Sequence, residues 1–410
     1  MLNRHLVSDV SPFPDSFVRF AFSFLFVCCL IGCDARIEQF RPNDVYSLSL
    51  AKSRSVPTAT ASQNASAVVG ELYGTPDEPV WPELSSPQPA PMDADNLLRS
   101  AGPVSSERDG THRGLFREHC VTCHALEGSG AGPASVFQNP YPRDFRHGVF
   151  KWKSTMRGEK PTRQDICDLL ENGIPGTAMP SFALLDKDDL DALVDYVIYL
   201  STRGEVERRL TAAAVDALDY GGELPEADLR LTSDASTEGG QVVQQVMDRV
   251  HAGWASAAEN QVAVPAMAVP EGVKLAESVE RGKLFFHGKI ANCVGCHGPG
   301  GDGSLQTLDY DDWAKEYSTR IGLTPTDRAA MKPFRDAGAL RPRLINPRNL
   351  QDGVFHGGGD AASLYRRITQ GIAGTPMPAV EVVQKSNGKG LTVDEIWDLV
   401  RYVQQLSTPQ

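Results

Sequence analysis

The sequence lacks an excess of basic residues and lacks the composition of a membrane-embedded protein. Lys and Arg total 40 against 52 Asp and Glu, which gives a formal net charge of −12 at pH 7. Such a chain has little of the cationic surface that phosphate binding requires, so nucleic acid is excluded as an expected partner. Hydrophobic residues make up 41% of the 410 positions, which is enough for buried cores in two or three ordinary domains.

Cysteine is also scarce, and its spacing leaves little room for a disulfide framework. Of eight cysteines, three lie in or just after an apolar run near the N-terminus, four belong to two Cys-x-x-Cys-His motifs, and only Cys167 is left over. Because nearly every cysteine has a different expected role, the even count does not indicate a set of disulfides.

The apolar run near the N-terminus predicts export and a lipid anchor. Residues 20–31 follow Arg19, and they are fewer than the roughly 20 residues needed to cross a bilayer. The run ends in Leu-Ile-Gly before Cys33, which resembles the lipobox of bacterial lipoproteins. We interpret residues 1–32 as a lipoprotein signal peptide, with lipid on Cys33 holding the protein at the periplasmic side of a bacterial membrane. A plain signal peptide or an uncleaved anchor is the alternative.

The rest of the chain divides by composition into four regions. Residues 33–109 are rich in Pro, Ser, Ala and Thr with little periodicity, which indicates a partly extended tether. Residues 110–202 and 271–410 form two predicted domains, and residues 203–270 form an acidic connector with two predicted helices. Apolar residues at helical spacing, with N-cap and glycine signals beside them, predict an all-α fold.

The two predicted domains repeat one another. Each contains Cys-x-x-Cys-His, then a Pro-Arg segment leading to Gly-Val-Phe, then a Gly-Ile-x-Gly-Thr-x-Met-Pro loop, in the same order. A duplicated domain is our interpretation. The matched segments are 120–124 with 293–297, 142–145 with 347–350, and 173–180 with 371–378.

The Cys-x-x-Cys-His motifs predict covalent attachment of haem. Two cysteines on one helical turn can form thioethers with the two vinyl groups of one haem, and the next histidine then points its ring at the iron. A zinc site would need a second Cys or His pair near each motif, and a thioredoxin-like pair would need a βαβ setting. The sequence shows neither. The predicted attachment residues are Cys120, Cys123, Cys293 and Cys296, and the predicted axial histidines are His124 and His297.

A methionine in each repeated loop is the predicted second axial ligand. Histidine and methionine are the candidates to close the open face of such an iron. Met179 and Met377 hold the same position in the matched loops, each between a Gly-Thr pair and a proline that stiffens the loop. His147 is the rival ligand in the first domain, although Asp352 stands at its matched position in the second.

The order of these features resembles class I cytochrome c domains. The resemblance rests on Cys-x-x-Cys-His, a Gly-rich turn, a Met-Pro loop and a final amphipathic helix, and it covers both repeats but neither the tether nor the connector. It implies a small all-α fold around each of two haem c groups. It also implies an aromatic pair between the first and last helix of each domain, Phe116 with Tyr196 and Phe285 with Tyr402.

The resemblance further implies how each axial histidine is oriented. In the family a proline carbonyl often orients the histidine ligand, and Pro133 can do so for His124. Gln306 stands at the equivalent position in the second domain, so His297 is expected to be held differently. Haem propionates need donors, and the candidates are Arg143, Arg348 and Trp152.

With His and Met on both irons, no position is open for substrate, so the predicted function is outer-sphere electron transfer and not catalysis. The tandem arrangement resembles dihaem cytochromes c and the cytochrome c subunits of respiratory oxidase complexes. This implies redox partners such as a quinol-oxidising complex or a terminal oxidase. The alternatives are a peroxidase-like dihaem enzyme with one haem opened, a gas or redox sensor, and the cytochrome module of a larger assembly.

The second domain also carries an insertion at about residues 305–342. The interpretations are a partner-docking surface, a haem cover and a passive surface insertion.

Overall fold

A computed structural model describes residues 38–84, 90–108, 110–305, 309–385 and 388–407. Helices dominate this part of the chain, which confirms the prediction of an all-α fold; its strands are the antiparallel pair β1 (Ser105–Ser106) and β2 (His112–Arg113). The α-helices are α1 (Asp44–Arg54), α2 (Ala59–Tyr73), α3 (Asp95–Ser100), α4 (Leu115–His119), α5 (Val121–His124), α6 (Arg163–Asn172), α7 (Lys187–Ala217), α8 (Glu238–Ala255), α9 (Gly272–His287), α10 (Val294–His297), α11 (Asp312–Glu316), α12 (Lys332–Asp336), α13 (Ala361–Gln370) and α14 (Val393–Leu406). Short 3-10 helices are Ser135–Phe137, Phe145–His147, Ala227–Leu229, Ala257–Asn260, Thr319–Ile321 and Leu350–Asp352.

The first repeat is built on the long helix α7. Its buried face packs against α2, α3, α6 and α8. The Phe116 ring of α4 lies 5.0 Å from the Tyr196 ring of α7, which is the aromatic contact expected from the resemblance. Both rings are almost completely buried, so this contact fixes the start of the repeat against its last helix.

Residues 44–73, expected to be part of an extended tether, are mostly helical and belong to the first core. On α2, Ala61, Ala65, Val69 and Tyr73 follow one another at four-residue spacing, and each is 0% exposed. Spacing of four residues places side chains on one face of a helix. Small side chains on this face let α2 approach α7 closely, and their low hydrophobicity makes the segment resemble a linker in sequence.

Residues 203–217, expected to begin the acidic connector, continue α7 without a break. Val206, Leu210 and Ala214 are each 0% exposed and belong to the same core as the residues before position 202. Charged residues on the buried face of this segment are paired, since Arg203 Nη1 lies 3.1 Å from Glu207 Oε2. A run of charges that resembles an exposed connector in sequence is therefore a buried, ion-paired part of a helix.

The second repeat has its own core between α9 and α14. Gly282 lies at their crossing, where an added Cβ would collide with the Asp398 carbonyl, so glycine allows the close approach. Here the resemblance-based pairing is wrong by one residue. Phe286, not Phe285, is buried and lies 5.3 Å from the Tyr402 ring. One position along a helix turns a side chain by about 100°, and the spacing from α9 to the cysteine motif differs from that in the first repeat.

Across the described ranges, the structure contains no helix that is both long enough and apolar enough to span a membrane. Cys33 and the predicted signal peptide at 1–32 lie outside the described residues.

Replacing Glu207 by Ala tests whether the segments outside the predicted domains are part of the first core. Glu207 pairs with Arg203, and its Oε1 accepts a hydrogen bond from the Asn43 backbone N–H at 2.8 Å. Removing one partner of a buried ion pair leaves the other charge uncompensated, so we expect a loss of about 3–5 kcal/mol in the free energy of unfolding, measured by urea titration. Lys187→Ala, which removes an exposed pair with Asp191, is the control and should change little. Equal unfolding free energies of the two variants would contradict the assignment of these flanking segments to the first core.

Candidate functional site

Each Cys-x-x-Cys-His motif forms one short helical turn. The His124 N–H donates to the Cys120 carbonyl at 2.8 Å, and the His297 N–H donates to the Cys293 carbonyl at the same distance. None of these cysteines forms a disulfide. Burial raises the pKa of the Cys120 and Cys293 thiols to about 12. A thiol with a raised pKa is a poor redox nucleophile.

Both motif histidines are oriented by the same kind of hydrogen bond. His124 Nδ1 lies 3.1 Å from the Arg143 carbonyl oxygen, and His297 Nδ1 lies 3.0 Å from the Arg348 carbonyl oxygen. A carbonyl only accepts, so each Nδ1 carries the proton and each Nε2 keeps a free lone pair for a metal. The expectation that Pro133 orients His124, and that His297 is held differently, is wrong. The bonds come instead from the matched Pro-Arg segments, whose spacing from the histidines differs too much for the sequence to indicate them.

The surroundings of His124 keep its ring neutral and fixed. Its imidazole stacks on Phe145 with ring centroids 4.5 Å apart and an interplanar angle of 16°. Burial lowers the pKa of His124 to about 4, and burial also lowers the pKa of His297. Neutral imidazole is the form that binds iron.

A glycine turn follows each histidine. The Gly130 N–H donates to the His124 carbonyl and the Gly303 N–H to the His297 carbonyl, both at 2.9 Å. Gly130 has a φ of +71°, and an added Cβ there would lie 2.5 Å from the Pro142 carbonyl oxygen. The turn therefore brings the Pro-Arg segment close enough to bind the histidine.

The two methionine loops have the same internal hydrogen bonds. Thr177 Oγ1 donates to the Ile174 carbonyl at 2.8 Å and accepts from the Met179 N–H at 3.1 Å. In the second repeat the Thr375 hydroxyl does the same for Ile372 and Met377, at 2.9 and 3.2 Å. Both methionines are half-buried. The matched hydrogen bonds show that the loops are structural equivalents; that Met179 and Met377 bind iron stays a prediction.

His147, the rival ligand, is engaged elsewhere. Its Nε2 lies 3.6 Å from carboxylate oxygens of both Asp144 and Glu316, and its ring lies 5.5 Å from that of Trp313. Burial and nearby arginines hold its pKa well below the usual value.

The two repeats contact each other through equivalent residues. Trp152 and Gly357 each stand ten positions after the matched prolines, Pro142 and Pro347, and they touch: a Cβ on Gly357 would lie 2.9 Å from Trp152 Cβ. A residue that meets its own counterpart marks a local twofold axis, as in an isologous dimer. Trp152, a propionate candidate, therefore faces the second repeat, with its ring 5.8 Å from that of His356.

The same relation brings each methionine loop towards the arginine of the other repeat, directly in the first loop and through Trp313 in the second. A Cβ on Gly176 of the first loop would lie 2.7 Å from Arg348 Nη2. Gly374 of the second loop meets the Trp313 ring, and the Arg143 guanidinium lies over that ring, 3.8 Å from its centroid. The carbonyl of each arginine therefore orients the motif histidine of the same repeat, and its side chain reaches towards the other repeat.

The insertion lies against the first repeat. Arg208 Nη2 pairs with Glu316 Oε1 at 2.6 Å, and the Ser49 hydroxyl donates to the Glu316 carbonyl at the same distance. Arg343, just after the insertion, donates to the carbonyls of Gln138 and Val136 at 2.6 and 2.8 Å. The insertion thus joins the two repeats and is not a passive surface addition.

A haem with its propionates fits the groups present. Arg348 Nε is buried and has no hydrogen-bond partner among the described residues. Burial lowers the pKa of Arg143 to about 10 and that of Lys151 to about 7, although Asp311 acts on both cations in the opposite direction. A cavity of about 100 Å³ is lined by these two residues, together with Arg208, Trp313 and the side chains of Asp144 and Asp311. A propionate carboxylate would supply the acceptor that Arg348 Nε lacks, but the assignment of Arg143, Arg348 and Trp152 to propionates stays a prediction.

The comparisons with known protein families match the two repeats separately. Residues 109–197 match the family described as cytochrome c oxidase, cbb3-type, subunit III, and residues 279–407 match the family described as cytochrome c. Cytochrome c55X of Paracoccus denitrificans (strain Pd 1222) is 28% identical over 103 residues, which are 25% of this chain and 84% of that protein. A chain of the Kuenenia stuttgartiensis reducing HAO-like protein complex aligns with 75% of this chain and 99% of its own length, with 22% identity and a TM-score of 0.45.

Gly130→Ala tests whether the glycine turn is required to place the histidine. The substitution adds backbone strain and a collision with Pro142, whereas Gly322→Ala adds strain alone, because Gly322 has a φ of +75° and nothing within 4 Å of an added Cβ. We expect Gly322→Ala to cost about 1–2 kcal/mol of unfolding free energy and Gly130→Ala clearly more, measured by denaturant unfolding. Equal costs would mean that the close approach to Pro142 is unimportant.

Proposed function

Since the chain carries two cytochrome c domains in tandem, which imply two covalently bound haem c groups, we propose that it is a dihaem electron carrier of a respiratory chain. It works at the periplasmic side of a bacterial membrane, where lipid on Cys33 anchors it. Cytochrome c domains imply haem-based electron transfer; the ligand set, the pathway and the location are our proposal.

The observation that carries the proposal is that both repeats have the same arrangement around the predicted irons. The two histidines are oriented by equivalent arginine carbonyls, and the two methionine loops share their hydrogen bonds. If one haem were kept open for a substrate, one repeat would be expected to differ at its histidine or its loop. Their equivalence supports two closed irons and therefore a carrier.

The residues have distinct roles in this function. Cys120 with Cys123, and the matching pair in the second repeat, would attach the haems, and the Arg143 and Arg348 carbonyls keep Nε2 of each histidine available. The threonine hydroxyls of the methionine loops restrain the backbone that presents the sulfur. A haem iron closed on both faces cycles between ferrous and ferric and carries one electron without binding substrate. Burial of His124 excludes water from that side of the first site.

The partners we propose are an electron donor and an electron acceptor, with a quinol-oxidising complex and a terminal oxidase as the candidates. Support comes from the similarity of residues 109–197 to a subunit of a cytochrome oxidase. The acidic surface also suits protein partners with a basic docking face.

Haem content and intact mass test the cofactor and the anchor together. Protein matured in a bacterial host should give two haems per chain by pyridine haemochrome assay, and its mass should include two porphyrins and lipid on an N-terminal Cys33. Cys293→Ala combined with Cys296→Ala should remove one haem, while Cys167→Ala, next to Glu171, should keep both. A colourless protein would refute the cofactor. An unmodified Cys33 would refute the anchor alone.

Replacing either loop methionine by Ala tests the closed irons. Met179→Ala and Met377→Ala should each let about one of the two ferrous haems bind carbon monoxide, because each removes the sixth ligand of one iron. Met156→Ala is the matched control, since Met156 is 45% exposed and lies outside the loops. Unchanged carbon monoxide spectra in both loop variants would refute the ligand assignment, and peroxide turnover by the unmodified protein would favour the peroxidase-like alternative.

A further inference from the structure

The insertion places one aromatic ring between the two sites. Trp313 of α11 contacts Gly374 in the second methionine loop, so closely that an added Cβ on Gly374 would overlap its ring. On the first repeat, the Arg143 guanidinium lies 3.8 Å from the ring centroid. The carbonyl of the same Arg143 accepts the hydrogen bond of His124. A continuous series of contacts therefore runs from the loop that carries Met377 to the histidine of the first motif.

The local twofold relation explains why this ring is needed. On one side of the axis, Arg348 reaches Gly176 of the opposite loop directly. On the other side, Trp313 lies between Arg143 and Gly374, the two counterparts of that contact. The first repeat has no such insertion. In the second repeat the insertion places the Trp313 indole between Arg143 and Gly374.

Trp313 is held in place from both ends of its helix. The Asp311 side chain caps α11 by accepting from the Ala314 N–H at 2.9 Å, and Glu316 at the other end pairs with Arg208 of the first repeat at 2.6 Å. The Asp312 N–H donates to the Gly374 carbonyl at 3.4 Å. The ring is therefore fixed relative to both repeats, although it is only half-buried.

We propose that Trp313 is a bridge through which an electron passes between the two haem sites, in addition to the direct contact of Arg348 with Gly176. This rests on the proposed function. Haems held by Cys120 with Cys123 and by Cys293 with Cys296 would exchange one electron, so that one iron would be oxidised and the other reduced, with no bond formed or broken and no proton moved. The indole is not itself oxidised. It acts by replacing a gap with packed atoms, and electronic coupling falls more steeply across a gap than through atoms in contact.

The test is the rate of electron transfer between the haems in holoprotein carrying Trp313→Leu or Trp313→Phe. In the Met179→Ala background, flash photolysis of carbon monoxide from the half-reduced protein starts transfer from the first haem to the second. We expect Trp313→Leu to lower this rate by about tenfold, and Trp313→Phe, which keeps a ring between Arg143 and Gly374, to keep most of it. If carbon monoxide fails to bind, the ligand assignment of the proposed function fails, and the same variants are compared by pulse radiolysis of protein with Met179 intact.

Phe334→Leu is the matched control, because Phe334 is a buried aromatic near the insertion's end that stacks on Tyr317 and does not bridge the contact described above. The haem content and both midpoint potentials are measured in every variant, so that a change of driving force is separated from a change of coupling. A rate in Trp313→Leu equal to that of the parent would overturn the proposal. So would an equal loss in Phe334→Leu, since the rate would then follow the integrity of the insertion.

Discussion

The hydrogen bond from each motif histidine to an arginine carbonyl is the constraint on which the rest of the site depends. It fixes the tautomer that leaves Nε2 free, and its acceptors lie 19 residues after His124 and 51 residues after His297. To bring so distant a carbonyl to the imidazole, the chain must turn sharply after the motif, which is why a glycine follows each histidine with its N–H bonded to the histidine carbonyl. The 3-10 helix after the first Pro-Arg segment then supplies Phe145, which stacks on the His124 ring.

The same arginines connect this constraint to the contact between the repeats. Arg348 uses its carbonyl within its own repeat and its guanidinium against Gly176 of the other. Arg143 does the equivalent through Trp313. A change in how the repeats pack would therefore move an arginine whose carbonyl binds a motif histidine. The orientation of each histidine ring is thus coupled, through the covalent structure of one arginine, to the relative position of the repeats. Such an isologous contact is what a duplicated domain gives when its two copies associate as a dimer would.

Local motifs made the cofactor and the fold class predictable, and interactions distant in sequence decided the rest. Spacing within five residues identifies the haem motif, and the predictions of tandem cytochrome c domains and two haem c groups are confirmed. Composition wrongly indicated a tether and an exposed connector beside the first domain. The buried face of α2 includes small residues such as Ala61 and Ala65, and Glu207 is buried because it pairs with Arg203. The carbonyl partners of the histidines carry no signature in sequence, since any residue supplies a carbonyl.

The insertion gives the pair of sites a physical asymmetry. Two sites related by a true twofold axis would have identical surroundings, and neither would be the better electron acceptor. Here Arg143 faces an indole, with Asp311 of the insertion acting on its charge, whereas Arg348 faces the backbone of a methionine loop. Charge and solvent exclusion near a haem set its reduction potential. A duplicated domain thus acquires unequal surroundings for its two sites where an insertion changes a contact between the repeats, and unequal sites are what a directed flow of electrons within one chain requires.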